Sequence, residues 1–468
     1  VTNAHHGDEE DLTVRGDSVL LLAQEATTEI DTGDTAWMLM AASLVLLMTP
    51  ALAMFYGGMS RQKSVLNMMM MSFSAIGVVG IVYVLWGWSM SYGEQDILGL
   101  FANPFEMFGL AGVIGDAENW VMSASGAYPQ VVDVGFQVTF AIITVALISG
   151  AIAERVKFGT WLVFAAVWVT LAYFPMAHMV WGGGLLSHSE NSLAAMIFGT
   201  VDDGEGGLVA AVAPVDFAGG TVVHINAGMA ALVLVLLIGK RYDFGRTAFR
   251  PHNLPLVMLG AGLLWFGWFG FNAGSAFGAN GAAGLAWINT TVATAAAMLG
   301  WLLTERIRDG HATSLGAASG VVAGLVAITP AAGSVHPLGA IALGAVSGAL
   351  CALAVGLKHR FGYDDSLDVV GVHLVAGLWG TVAIGLLATG TYDTDAGVFY
   401  SADGWRLLVV QIVIAVAALV FTAIMTAIAY GICRPLGWRI SETDEQSGID
   451  GAEHAESAYE ASTNALIR

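Results

Sequence analysis

Eleven apolar runs, each long enough to cross a hydrocarbon core about 30 Å thick, leave this chain almost no freedom in what it can fold into. They lie near residues 35–56, 64–92, 131–154, 158–181, 217–238, 254–277, 283–304, 313–331, 337–357, 368–389 and 404–433. Lipid offers nothing to a backbone N–H or C=O, so runs of this length must close their hydrogen bonds internally as helices. Charged residues are only 12% of the chain, against about 25% in a soluble protein. The fold class is therefore an all-α polytopic membrane protein. Its 59 glycines suit helices that pack closely through small residues.

Orientation follows from the basic residues, which collect on the cytoplasmic side of membrane proteins. With the N-terminus outside, the inner loops hold Arg61/Lys63, Arg155/Lys157, Lys240/Arg241/Arg246/Arg250, Arg306/Arg308, Lys358/Arg360 and Arg434/Arg439. Of 17 Lys and Arg, only Arg15 and Arg406 then fall outside, with Arg468 in the inner tail. The expected plan is N-out and C-in in a plasma membrane. An acidic, flexible extracellular extension spans residues 1–34, a membrane domain 35–439, and an acidic cytoplasmic tail 440–468. Residues 1–34 have no basic start before an apolar core, so they do not read as a signal peptide.

A histidine phrase occurs twice. Val223-His224-x-x-Ala227-Gly228 returns as Val372-His373-x-x-Ala376-Gly377, the first preceded by Asp216 and the second by Asp368. The fifth span enters from one side and the tenth from the other, so the two phrases run in opposite directions. Five helices, five inverted ones and an eleventh left over make an inverted-repeat plan, in which the substrate path runs at the midplane between repeats. At 1.5 Å per residue both histidines sit roughly 8–10 Å inside their helices, where an ionisable side chain marks function by default. The competing reading is a pair of core histidines bonded to backbone carbonyls.

Three other segments place aromatics at one outer level. Phe136-Gln-Val-Thr-Phe140 opens the third span, Ala177-His-Met-Val-Trp181-Gly-Gly-Gly184 ends the fourth, and Gly267-Trp-Phe-Gly-Phe271-Asn-Ala-Gly-Ser275 closes the sixth. Trp and Tyr alone would read as an interfacial belt. Glycines beside them read as close packing around a cavity, and π-faces with a hydroxyl and a nearby carboxylate suit a small monovalent cation. Cys351 and Cys433 have no metal-type spacing, and neither a metal, a cofactor nor an enzymatic activity is expected.

These motifs, with Phe55-Tyr56-Gly57-Gly58, Gly150-Ala-Ile-Ala-Glu-Arg155, Asp216-Phe-Ala-Gly-Gly-Thr-Val-Val-His-Ile-Asn226 and Asp368-Val-Val-Gly-Val-His373, resemble the ammonium transporter (Amt/Mep/Rh) family, bacterial/archaeal Amt type. The resemblance runs from about Thr35 to Arg439. It implies the ammonium-transporter fold and a homotrimer in which each subunit carries its own pore for nitrogen assimilation. By motif position, Trp181, Phe140, Ser275 and Asp216 resemble the outer ammonium site, with Asp216 supporting it either electrostatically or as a helix N-cap. Phe140 and Phe271 resemble a stacked gate, with Phe136 lining the vestibule beside them. His224 and His373 resemble twin histidines that share a proton.

The chemistry stands without the resemblance. Burying an unpaired ion in low dielectric costs tens of kcal/mol in the Born limit, whereas deprotonating ammonium (pKa near ~9) costs about 3 kcal/mol at neutral pH, at about 1.36 kcal/mol per unit. Potassium has no proton to give. An apolar pore for the neutral amine therefore excludes it, and imidazole can relay a proton near neutral pH. The proton either follows through the two imidazoles, giving net charge movement, or stays behind. The tail carries seven acids and reads either as a dock for a PII-type (GlnK-like) regulator or as a disordered solvated end. The excess acid, net charge −20, reads as adaptation to a salty medium, because a Debye length near 3 Å at high salt weakens any cation funnel. Two rival functions are an ammonium sensor and a haem protein using both histidines as axial ligands. Membrane lipid surrounds the chain, and nucleic acid is not an expected partner.

Overall fold

The computed structural model describes residues 29–116, 119–204, 206–391 and 394–459. Residues 1–28 of the expected extension lie outside them, as do Glu118, Glu205, Glu460 and Arg468. Among the described residues, eleven helices are long and apolar enough to cross a membrane. They are α1 (Thr32–Met59), α2 (Gln62–Tyr92), α3 (Gln130–Ile152), α4 (Phe158–Trp181), α5 (Gly220–Ile238), α6 (Leu254–Gly274), α7 (Gly281–Asp309), α8 (Ser314–Ala331), α9 (Pro337–Phe361), α10 (Val370–Leu387) and α11 (Trp405–Leu436). The first begins three residues earlier than the expected boundary at 34/35. Asp31 caps it, its carboxylate accepting the Asp34 N–H at 2.9 Å, so Thr32–Asp34 belong to the helix.

The halves correspond. α3 and α8 are the most buried spans and both end in a 3-10 turn. α1 lies along α6, and α5 crosses α10. Within α5 and α10 the histidine segments Gly220–Ile225 and Val370–Leu374 are both wound as π-helix, a widened turn that recurs at functional sites. Glycine permits the close crossings. A methyl built on Gly348 of α9 would stand 2.0 Å from the Ala297 carbonyl oxygen of α7, and one on Gly344 would stand 2.1 Å from that of Ala293. With no hydrophobic drive between helices in lipid, such contacts hold α7 to α9 by packing alone.

One face carries the loop 93–129 and the segment between α4 and α5; it is called the vestibule face. The opposite, tail face is tied by buried charges. Glu154 accepts from the Arg61 N–H at 2.8 Å and Nε at 2.7 Å, and from Arg241 Nη1 at 3.0 Å. Arg241 also donates Nε and Nη2 to Asp364 at 2.9 and 2.8 Å, and its guanidinium lies 4.0 Å above the Phe249 ring. Arg155, fully buried, donates to the Asp364 carbonyl and the Ser366 hydroxyl, each at 2.7 Å. Removing one member of a buried charge pair strands the other, so such pairs lock together the segments that carry them. Here they join the loops before α2, α4, α6 and α10.

The tail is not a solvated end through Tyr459. It forms α12 (Glu442–Ser447) and α13 (Ile449–His454), and its acids serve as acceptors for the tail face. Asp450 takes the N–H groups of Leu66 and Asn67 at 3.0 and 2.8 Å, and Glu453 takes that of Phe158 at 2.8 Å. Those donors open α-helical segments, where the free N–H groups and the helix dipole favour negative charge. Glu445 joins the Tyr242 N–H to Arg439, each at 2.7 Å.

The α7–α9 crossing generates a test. Gly348→Ala must force the two helices apart, and overpacking of this kind costs about 1–3 kcal/mol. Its melting temperature in detergent should fall by several degrees. Gly284→Ala, on α7 with open space around its Cα, should leave the melting temperature level or raise it slightly. Equal behaviour of the two would contradict the packing account.

Candidate functional site

Three voids line up across the membrane domain. The widest is a vestibule of about 500 Å³ whose wall includes Phe140, Trp181, Asp216 and Ser275. A second, of about 10 Å³, touches Phe271, Trp268, His224 and His373. A third of the same size touches His373, Tyr56, Ser319 and Asp368 toward the tail face. About 10–15 Å³ is the least that holds one water-sized molecule, so the inner voids admit single small molecules only.

The vestibule floor is aromatic. Phe140 of α3 and Phe271 of α6 stack at 4.1 Å between centroids and 25°, closer than the about 4.5–7 Å usual for aromatic pairs. Trp181 stands edge-on to Phe140 at 6.1 Å and 86°. Its indole N–H donates to the Asp216 carbonyl at 2.9 Å, which fixes the ring at the end of α4. Ser275 Oγ donates to the Phe271 carbonyl at 2.9 Å, so its lone pairs remain able to accept. Trp181, Phe140, Ser275 and Asp216 thus meet at one cavity.

Phe136 does not. It is fully buried, stands behind Phe140 at 4.8 Å and 66°, and touches Phe277 on its other side. It lines none of the three voids. Four residues along a helix share a face, which is why the sequence placed Phe136 beside Phe140. In the fold Phe140 covers it.

Beneath the stack the two imidazoles come together. His224 and His373 approach Nδ1 to Nδ1 at 3.4 Å, with ring centroids 5.5 Å apart. His224 lies parallel to the Trp268 ring at 5.5 Å and 17°, and its Nε2 has no partner among the described residues. One Nδ1 must donate and the other accept, so the proton arrangement of one ring dictates that of the other. Neither ring is a core histidine bonded to a backbone carbonyl. A haem cannot lie between nitrogens at this separation in a void of about 10 Å³; the axial-ligand reading is overturned by geometry.

Asp216 is a cap. Its carboxylate accepts the N–H groups of Gly219, Gly220, Thr221 and Val222 and the Thr221 hydroxyl. A carboxylate offers about four acceptor sites, so these donors saturate it. Gly219, at φ +116°, supplies the left-handed turn into the π-segment. The matching residue in the second repeat is not Asp368. Eight residues before His373, as Asp216 is before His224, stands Asp365. Its carboxylate accepts from Val369 and Val370 at 3.0 and 2.8 Å. Asp368 occupies the Gly219 position instead, at φ +64°, and pairs with Lys358 Nζ at 2.6 Å. Sequence reading missed Asp365; the signal was there in the equal spacing to the two histidines.

Residues 36–459 match the Ammonium Transporter Family. An ammonium transporter of Mycobacterium tuberculosis is 53% identical over 449 residues, covering 92% of this chain and 91% of that protein. The crystal structure of Saccharomyces cerevisiae Mep2 superposes with a TM-score of 0.77 at 30% identity, covering 95% of each chain. A solved structure described as a sensor Amt protein superposes at 0.76 with 26% identity, covering 90% of this chain and 98% of that one.

The Asp365 cap has a pH signature. Burial first, then the neighbouring Asp368 charge, pushes its carboxyl up to about 6 from 3.8. Between those values the folded state holds a proton that the unfolded state has released. Stability from this group is therefore present at low pH and is lost as pH rises through about 4 to 6. The difference in melting temperature between wild type and Asp365→Asn should fall across that window and stay level above it. A difference that is flat from pH 4 to 7 would contradict the assignment.

Proposed function

We propose, from the premise that this chain belongs to the Ammonium Transporter Family, that its ammonium transport divides the ion at the Phe140–Phe271 stack. The observation that carries this reading is the sequence of environments on either side of the stack: a roomy cavity with carboxylates above it, and single-molecule voids with paired imidazoles below. Ammonium docks against the Trp181 and Phe140 rings, with Ser275 Oγ accepting one N–H. Asp216, with its lone pairs committed to the backbone, orders the α5 entry and contributes its charge at a distance.

Passing the stack means leaving water. A bare cation would forfeit tens of kcal/mol of solvation in the Born limit, whereas surrendering the proton costs about 3 kcal/mol at neutral pH. Ammonia then passes His224, whose free Nε2 can accept from it or donate to it according to tautomer. The proton surrendered at the stack goes to vestibule water; a proton delivered to His224 Nε2 in its place releases the Nδ1 proton across the contact to His373. The Tyr56 and Asp368 side receives it there. Potassium has no equivalent path.

The same reading sets the vestibule outside and the tail face in the cytoplasm of a plasma membrane, supported by basic residues in the loops on that face. It includes a homotrimer, and a PII-type regulator docking where α12 and α13 meet the loops at Leu66, Phe158 and Tyr242. Transport rather than sensing is favoured by 53% identity to an ammonium transporter against 26% to the sensor protein.

Purified protein in liposomes tests the division. Ammonium should give uptake, read as current if the proton follows and as internal alkalinisation if it does not. Potassium should give neither. His224→Glu places a fixed acceptor for cations in the upper inner void and should turn an undetectable potassium current into a measurable one. A folded His224→Glu protein that still excludes potassium would sink the account.

A further inference from the structure

The motif that ends α4 carries an ionisable side chain that the transport reading leaves unused. His178 stands three residues before Trp181, is 1% exposed and lines none of the three voids. Its ring makes no bond within its own helix. Nδ1 meets the Ser91 carbonyl at 3.2 Å, at the end of α2, and Nε2 meets the Asp96 carboxylate at 2.8 Å, in the loop that follows. A carbonyl and an ionised carboxylate can only accept. Both ring nitrogens therefore donate, which is the imidazolium form. The place suits a cation, since the last turn of a helix presents the negative end of its dipole.

The ring and the segment 91–99 form a slot, and the backbone that follows Trp181 lies in it. The N–H groups of Gly182 and Gly184 both return to the His178 carbonyl at 3.0 Å. A methyl built on Gly182 would strike the Ser91 carbonyl oxygen and stand 2.8 Å from His178 Nδ1. One built on Gly184 would strike the Gly99 carbonyl oxygen and stand 3.1 Å from His178 Cδ2. Only residues without a Cβ pass between these walls. Asp96 also shapes the far wall. Its two oxygens accept the Gly99 N–H at 3.0 and 2.9 Å, and the Gly99 carbonyl takes the Leu185 N–H at 2.8 Å. Trp181 is thus held at two points, its indole N–H by the Asp216 carbonyl and its backbone by the slot.

We propose that His178 is a positioning residue of the outer ammonium site: its ring, stapled to Ser91 and Asp96, fixes the glycine run and with it the angle of the Trp181 ring. The inference rests on the reading of Trp181 as a face of that site and deepens it. Attraction of a cation to an aromatic ring requires the ion over the ring face, within about 6 Å of its centre. A Trp181 that keeps its bond to Asp216 but loses the slot can pivot about that bond, and a tilted face holds the ion less well. His178 touches neither ion nor pore. Its loss should therefore weaken docking and leave the passage below the Phe140–Phe271 stack as it was.

Two measurements on the full-length protein test it. With 5-fluorotryptophan incorporated, the Trp181 fluorine resonance is the one missing from Trp181→Phe. That resonance should shift or broaden in His178→Gln and in Asp96→Ala. In liposomes each variant should need an about three- to tenfold higher ammonium concentration for half-maximal uptake, the range expected for one or two lost hydrogen bonds, with the limiting rate little changed. The double variant should be no worse than His178→Gln alone, because both changes break one staple. An unmoved Trp181 resonance with an unchanged half-maximal concentration would overturn the proposal and leave His178 a core histidine. A lower limiting rate at an unchanged half-maximal concentration would overturn it too, by placing the defect in the pore. Should His178→Gln fail to fold, Asp96→Ala, at a side chain 48% exposed, carries the test alone. Failure of the wild type to take up ammonium would instead strike the transport reading, with the fluorine resonance still reporting whether His178 holds Trp181.

Discussion

A helix that begins within a protein buried in lipid has four N–H groups with no partner of their own and no water to supply one. Much of this structure follows from how that debt is met at two places. Asp216 takes the opening donors of α5, and Asp365 takes those of α10. Each carboxylate is eight residues before a histidine, and each is followed by a left-handed residue, Gly219 or Asp368, that turns the chain into a π-wound segment. The caps therefore do more than satisfy backbone. They set the depth and rotation of the widened turns, and thereby bring two imidazoles from antiparallel helices within 3.4 Å.

The inverted repeat makes the same device serve opposite faces. At the first face its surroundings include the vestibule, where the Asp216 carbonyl also fixes the Trp181 ring. At the second its surroundings include Lys358, Asp368 and the buried arginine network. One architecture thus offers an aromatic approach at one end and a charged, hydrogen-bonded one at the other. The histidines lie between these environments and belong to neither repeat alone.

Most of this was legible from the residues, for reasons that differ by element. The spans were legible because hydrocarbon thickness fixes their length, and the histidine pair because a repeated phrase survives in sequence even when its copies point in opposite directions. Phe136 was misplaced because helical periodicity says which residues share a face and not which of them covers the other. Asp365 was overlooked because Asp368 lies closer to the repeated phrase; only the backbone conformation shows that Asp368 stands in the place of a glycine. The tail was illegible for a simpler reason. Helices of six residues, with five acids between the two of them, have no apolar stripe to read, and their stability comes from donors at Leu66, Asn67 and Phe158, hundreds of residues away.

In the proposed mechanism, the polarity of the inner voids bears on where a proton given up by ammonium can go. Apart from the two imidazoles, the void at His224 is lined by aliphatic side chains, the Met48 thioether and the Trp268 and Phe271 rings, none of which can hold a charge. Around His373 it includes Tyr56, Ser319 and Asp368, and Asp368 is already paired with a lysine. A proton on His224 is therefore on the costlier of the two rings, and transfer across the Nδ1 contact carries it toward groups that can stabilise it. Return toward the vestibule would place it against the stacked faces of Phe140 and Phe271 with no acceptor between. Direction along the pore, in the proposed mechanism, comes from this gradient in lining and not from the imidazoles themselves, which are chemically alike.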